Sequence, residues 1–332
     1  MQAYQLTPGG GIDGITRVEL PDPEPAADEV VVRVRATSLN YRDLMLATGN
    51  REPVVPLSDG SGEVVAVGDD VTRFAVGDRV TSCFFLDWLD GDGTPANTRR
   101  ALGGADTNGT LAELIALPER AIVATPVHMT DEEASTLPCA ALTAWCSMFE
   151  VARLQPGSSV LLLGTGGVSI AGLQLASIAG VRSFITSSSD EKLARAREHG
   201  ADHTINYVDD DNWGRTVREL TDGRGVDLTL EVGGEGTFAK SMTATRFGGD
   251  IALIGGLARE ESDETQVPLV GRGLRATRIY VGSRAMFEQM NRALELREVH
   301  PVVDRVFDFN ETQEAYRYLE SQRHFGKVVI RV

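Results

Sequence analysis

Hydrophobic and polar positions divide the chain into three stretches of different period. In the first, residues 29–35 (Glu-Val-Val-Val-Arg-Val-Arg) are β-branched and alternate towards their end, as a half-buried strand does. Gly62-Glu63-Val64-Val65-Ala66-Val67-Gly68 reads as a second strand closed by a glycine turn, and Gly77-Asp78-Arg79-Val80 as a turn into a third. Pro21, Pro23 and Pro25 mark a loop, and Asp90-Gly91-Asp92-Gly93-Thr94-Pro95 opens an irregular stretch to about Thr110. In the middle stretch, strands at 160–163 and 182–186 alternate with helical patterns at 170–179 and 190–199. Gly200 stands where a helix C-terminus favours glycine, and later strands at 226–230 and 250–254 also end in glycines. Such alternation predicts a doubly wound α/β unit, a parallel sheet with helices on both faces. The tail mixes helices at 287–298 and 311–322 with strands at 305–309 and 327–330. No internal repeat or low-complexity tract interrupts the pattern.

Composition narrows the reading. A length of 332 residues with 42% hydrophobic positions suits two domains with sizeable cores. No apolar run reaches the ~18 residues that a membrane helix needs. The opening Met1-Gln2-Ala3-Tyr4-Gln5-Leu6 lacks the basic-then-apolar order of a signal peptide. Cys83, Cys139 and Cys146 make no CxxC and are too few for a disulfide framework, so a reducing, cytoplasmic setting is expected. The net charge of −16 argues against a nucleic-acid partner. The expected partner is a small-molecule substrate, with neither nucleic acid nor membrane. His128, His199, His203, His300 and His324 are scattered, and none belongs to HExxH or another metal pair.

Gly164-Thr165-Gly166-Gly167-Val168-Ser169 follows a strand and opens a helix, the context that separates a dinucleotide loop from a chance glycine cluster. Glycines allow a tight turn, and the helix N-terminus offers amides and positive potential to a pyrophosphate. Ser169 replaces the usual third glycine. The next strand ends at Ser187-Ser188-Ser189, where an NAD site normally carries an acid for the ribose hydroxyls. Serine there removes a charge that would repel a 2′-phosphate. Lys192 and Tyr207 are candidate contacts to that phosphate, so NADP(H) is preferred to NAD(H). The alternatives are that Ser189 merely caps a helix, that Lys192 is a solvated surface charge, and that Asp190 serves NAD instead.

Several pieces together resemble the medium-chain dehydrogenase/reductase superfamily. They are Gly62 to Gly68 with Val71, Phe74 and Gly77-Asp78-Arg79-Val80; Leu137-Pro138-Cys139-Ala140-Ala141-Leu142-Thr143-Ala144; the loop from Gly164; Gly200-Ala201-Asp202 with Ile205-Asn206-Tyr207; and Gly326-Lys327-Val328-Val329. They cover essentially the whole chain in the superfamily's order. The resemblance implies a GroES-like catalytic domain from residues 1–125 and 284–332, and an inserted Rossmann cofactor-binding domain from 126–283. It also implies a homodimer or homotetramer, paired through a last Rossmann strand at 278–282 (Arg-Ile-Tyr-Val-Gly).

Zinc alcohol dehydrogenases of this superfamily use a Cys, His, Cys site. By the motif positions the resemblance places Asn40, Ser58 and Cys139 there, and Asp59 would add at most one more ligand. A catalytic zinc needs about three protein ligands. The structural zinc lobe needs four clustered cysteines, and residues 86–110 contain none. No zinc is therefore expected at either place, and Cys139 reads as a small buried residue or cavity wall. Zinc-free members of the superfamily resemble quinone and enone reductases, which implies hydride transfer to a quinone or α,β-unsaturated carbonyl. Asn40 and Tyr41 then become candidate catalytic residues, as an amide donor to the substrate oxygen and as a donor or general acid. Both could instead only orient a loop. Asp43 is expected to stabilise the start of a helix at 44–47. The resemblance places Thr143 near the nicotinamide, with helix packing as its alternative. It offers Lys327 an approach to the cofactor, with a surface strand position as the alternative. The pocket wall is expected in residues 84–108 and 257–265. Two further readings stay open: a metal-independent NAD(P)-dependent alcohol dehydrogenase or carbonyl reductase, and a non-catalytic NADPH-binding protein.

Overall fold

A computed structural model describes residues 1–49, 52–104, 107–255 and 272–332. The chain forms two compact units, Met1–Leu142 with Val281–Val332, and Thr143–Tyr280. Residues 126–142 thus cluster with the first unit rather than with the Rossmann stretch. No described helix is long and apolar enough to cross a membrane.

Among the described residues, the first unit holds a seven-stranded sheet built around the long strand Glu29–Ser38. Its alternation is visible in burial: Val30, Val32 and Val34 face one core while Arg33 and Arg35 face solvent. Along one edge it pairs antiparallel with Asp59–Val67. The other edge is shared. Leu114–Pro118 pairs with Glu29 to Arg33, and Lys327–Arg331 pairs with Ala36 to Ser38. Arg79–Ser82 and Ile122–Ala124 extend the sheet one way, and Val303–Asp308 the other. Gly62 is needed for the central pairing, because a Cβ there would stand 2.0 Å from the Arg33 carbonyl oxygen. The shared edge sets Ser38 opposite Asp59 on one side and Val329 on the other. Residues distant in sequence thereby meet where this strand ends.

The second unit carries a parallel six-stranded sheet in the order His203–Asn206, Arg182–Ser187, Ser159–Leu162, Val226–Glu231, Thr245–Leu253, Arg275–Arg278. In sequence terms this is 3-2-1-4-5-6, the Rossmann order. Leu161, Leu162, Leu228, Leu230 and Ile251 are buried, as a sheet covered on both faces requires. Helices Gly167–Ala179, Asp190–Glu198, Trp213–Glu219 and Glu235–Ala244 connect the strands. The α/β class, with its GroES-like and Rossmann parts, is as the sequence implied.

One element needs correction. The last strand spans Arg275–Arg278, not 278–282. Ile279 still donates to the Leu253 carbonyl, but Val281 has φ 58°, outside the extended region. A β-branched residue at positive φ cannot continue a strand.

Candidate active site

In the first unit the strand Glu29–Ser38 runs into Leu39 and Asn40, and the helix Tyr41–Gly49 begins at once. The helix start is closed reciprocally. The Asn40 carbonyl accepts from the Asp43 amide at 2.9 Å, and the Asp43 carboxylate accepts from the Asn40 amide at 2.7 Å. Asp43 thus stabilises the helix start, as expected. It does so fully buried, and one of its oxygens, Oδ1, has no partner among the described residues. Burial pushes its carboxyl up to about 6, against the pull of the Arg42 charge and the Asn40 amide. The Tyr316 hydroxyl is a second buried oxygen without a described partner, and burial and then the Asp43 charge push it well above the usual phenol range.

Lys327 lies at the start of strand Lys327–Arg331 and is 6% exposed, so its alternative reading as a surface strand residue is excluded. Its Nζ donates to the Leu39 carbonyl and to Asn40 Oδ1, both at 2.6 Å, and stands 3.6 Å from Asp59 Oδ2. An ammonium can only donate, so Asn40 must turn its oxygen towards it. The amide nitrogen Nδ2 of Asn40 is left buried, with no partner among the described residues. Asn40 is itself only 9% exposed. An unpaired buried donor costs free energy comparable to a lost hydrogen bond, unless a ligand completes it.

Two of the three positions that the resemblance gave to zinc ligands, Ser58 and Cys139, contact Asp59, and Lys327 stands between Asp59 and the third, Asn40. Ser58 Oγ donates to Asp59 Oδ1, and the Cys139 amide donates to Oδ2 at 3.3 Å. Ser38 Oγ approaches the same oxygen at 3.4 Å. The donors offered are an amide, a hydroxyl and a thiol. Burial, and then the Asp59 charge, hold the Cys139 thiol protonated, well above the ordinary thiol range. A catalytic zinc is held by about three His, Cys or carboxylate ligands; of the side chains here only Cys139 and Asp59 are of those types, and an ammonium stands 3.6 Å from the carboxylate. This set does not fit a catalytic zinc. Among the described residues no three His, Cys, Asp or Glu side chains are grouped to hold a metal ion.

Tyr41 opens the helix and is 42% exposed, so its hydroxyl can meet a ligand. Beside it, Arg42 donates to the Leu102 carbonyl at 2.9 Å and lies 4.6 Å from the Phe84 ring centre. The irregular segment expected to wall the pocket therefore reaches this helix. The other expected wall, residues 257–265, lies outside the described residues.

In the second unit the strand Ser159–Leu162 leads to Gly164, whose φ of 70° makes the tight turn that favours glycine. Gly166 precedes the helix with no side-chain cap bond, so the amides of Gly167 and Val168 keep the orphan donors of a helix start. Thr165 is buried in the turn, and Thr186 Oγ1 accepts from the Gly164 amide at 3.2 Å. Ser169, in place of the third glycine, donates to the Leu163 carbonyl at 2.7 Å and so tightens the turn. This turn suits a pyrophosphate.

At the ends of two neighbouring strands the register sets Asn206 beside Ser187, and the Tyr207 amide donates to the Ser187 carbonyl at 3.0 Å. Ser188 is exposed and Tyr207 is 43% exposed, whereas Ser187 is buried with its hydroxyl accepting from the Ser189 amide. Ser189 does cap the next helix, accepting from the Lys192 amide. Asp190 accepts from the Asn206 side chain at 2.9 Å. Thr143 is buried, its carbonyl accepting from Ser147 Oγ.

Sequence reading missed Glu231, which ends the strand next to the glycine-loop strand. Its buried carboxylate accepts from the amides of Gly233 and Gly234 and from the hydroxyls of Thr237 and Ser241. Only the glycines after the strand hinted at a special turn there.

Residues 26–127 match the alcohol dehydrogenase GroES-like domain, and residues 167–296 match the zinc-binding dehydrogenase family. A zinc-type alcohol dehydrogenase-like protein of Schizosaccharomyces pombe is 43% identical over 92% of this chain and 91% of its own length. An acryloyl-coenzyme A reductase of Metallosphaera sedula is 29% identical over 94% of this chain and 95% of its own. The crystal structure of an NAD-dependent alcohol dehydrogenase is 34% identical, with a TM-score of 0.92 and 100% of each chain covered. The chain therefore belongs to the medium-chain dehydrogenase/reductase superfamily, as a zinc-type alcohol dehydrogenase-like oxidoreductase with a GroES-like part and an NAD(P)-binding Rossmann part.

Proposed function

We propose that this oxidoreductase uses NADP(H) to transfer hydride to a quinone or an α,β-unsaturated carbonyl, without a zinc ion. The observation that carries the reading is the buried Asn40 amide, whose Nδ2 has no partner among the described residues while Lys327 holds its oxygen. When bound, the nicotinamide supplies or accepts the hydride. As hydride reaches the β-carbon of an enone, charge gathers on the carbonyl oxygen, and Asn40 Nδ2 donates to that oxygen. A prepositioned donor costs no reorganisation at that moment. Tyr41, partly exposed at the helix start, provides a proton from its hydroxyl for the α-carbon. Support for a metal-free centre comes from the side chains themselves: Asn40 and Ser58 are poor zinc ligands, and an ammonium stands beside Asp59.

For the cofactor, Ser188 and Tyr207 offer uncharged hydroxyls at adjacent strand ends, Lys192 adds a cation nearby, and Asp190 is engaged by Asn206. A second reading, NAD(P)-dependent oxidation of alcohols without metal, is favoured by the likeness to an NAD-dependent alcohol dehydrogenase.

The deciding experiment uses metal-stripped wild-type protein, with NADPH and NADH each offered 1,4-quinones and 2-alkenals, and the oxidised cofactors offered secondary alcohols. NADPH-dependent turnover of quinones or alkenals supports the proposal. Turnover of alcohols alone favours the second reading, and activity that returns only with added zinc overturns the metal-free mechanism. The cofactor preference has its own check. Ser188→Asp places a carboxylate where the 2′-phosphate would bind, and kcat/KM for NADPH relative to NADH should fall roughly ten- to a hundredfold. An unchanged ratio would remove Ser188 from the cofactor site.

A further inference from the structure

The chain has three lysines, Lys192, Lys240 and Lys327, among 32 basic residues. Of these Lys327 is the buried one. Burying an ammonium is costly unless its donors are matched. Here two of the N–H bonds go to the Leu39 carbonyl and Asn40 Oδ1, and the Asp59 carboxylate stands 3.6 Å away as a counter-charge. Asp59 is buried too, and is held from its other sides by Ser58, Ser38 and the Cys139 amide. The pair is neutral overall but directional, with its cationic end against Asn40.

We propose that Lys327 is a positioning residue that fixes which way the Asn40 amide faces and polarises it as a donor to the substrate oxygen. The inference rests on the reading above, in which Asn40 meets that oxygen. Without the ammonium, an amide can flip and present its oxygen, an acceptor, to a centre that gathers negative charge. A cation on Oδ1 also draws electron density from the amide, so that Nδ2–H becomes a stronger donor, as charge-assisted and chained hydrogen bonds do. Asp59 in turn holds Lys327 in place from 3.6 Å. The positive charge that a metal would bring to such a site is here delivered through an amide rather than directly.

Two measurements test this. The first needs no variant and no turnover. In protein labelled with 15N-lysine, one ammonium signal should persist at neutral pH through slow exchange, because Lys192 and Lys240 are less buried. Absence of any such signal means that Lys327 is not held as an ammonium, and overturns the proposal. The second is a double-mutant cycle with Lys327→Met and Asn40→Ala, run on whichever substrate the wild type turns over. Lys327→Met alone should lower kcat by roughly ten- to a hundredfold, with KM for the cofactor changed less than about twofold. In the Asn40→Ala background the same change should cost less than about threefold, since its effect passes through the amide. An equal loss in both backgrounds overturns the proposal. Should Lys327→Met fail to fold, Lys327→Gln keeps a donor to Asn40 Oδ1 without the charge, and takes its place in the cycle. Failure of the substrate reading is seen separately, in the wild-type panel.

Discussion

Replacing Asn40 with alanine should lower kcat towards a quinone or enone by about 10²–10³-fold, the usual loss for one donor to a developing oxyanion. KM for the cofactor should move by less than about twofold, because the role proposed for the amide is at the reacting oxygen rather than at the dinucleotide. Steady-state kinetics with a parallel melting curve would separate this from unfolding. Asn40→Asp is the informative control. It keeps an acceptor for Lys327 and almost the same volume, but carries no N–H for the substrate. Both variants should lose activity to a similar degree. If Asn40→Asp retains wild-type kcat, the amide is a loop-orienting group and the catalytic reading of Asn40 fails.

Asp43 supplies the second large effect, on stability rather than rate. Its carboxyl is raised from 3.8 to about 6, first by burial, with the charge of Asp59 adding to the rise and those of Arg42 and Lys327 opposing it. The sign follows from linkage. An acid whose folded value is raised contributes stability that is fully present below the unfolded value and is lost as pH rises through the folded one. The window is therefore roughly pH 4 to above 6, and the loss amounts to about 3 kcal/mol at pH 8. Asn at this position can still accept from the Asn40 amide but carries no charge. Asp43→Asn should therefore match the wild type near pH 4 and exceed it in unfolding free energy by about 3 kcal/mol at pH 8. Urea denaturation at the two pH values reads the difference. Parallel stability curves for the two proteins would mean that Asp43 is ionised in the fold at no cost.

Much of the second unit could be read without coordinates. The glycine loop, its preceding strand and its following helix are local, and each is written in a run of residues whose period or flexibility is distinctive. The same holds for Ser187 to Ser189 at a strand end. That Tyr207 stands beside them depends on pairing between two strands some 20 residues apart, which the family motif suggested and the register Asn206 to Ser187 shows. The last strand was misplaced because residues 278–282 have a strand-like composition, whereas backbone at positive φ around Val281 is not encoded by side-chain type.

The first unit divides in the same way. Alternation in residues 29–35 and 62–68 was enough to predict strands, and the position of Asn40 and Tyr41 after the first of them made both candidates. Lys327 shows the limit. As one residue in an alternating strand it could face solvent or core, and its charge argued for solvent. Only the antiparallel pairing of Lys327–Arg331 with Ala36 to Ser38 turns it inward, against Leu39, Asn40 and Asp59. Local period and turn chemistry act over a few residues, so the sequence by itself determined most of the strands and helices it was read for and the glycine loop, and its family resemblance the two kinds of fold. Which buried charges face one another depends on contacts made across almost 290 positions of chain. The tertiary structure alone decided that a buried lysine meets the side-chain oxygen of the candidate donor.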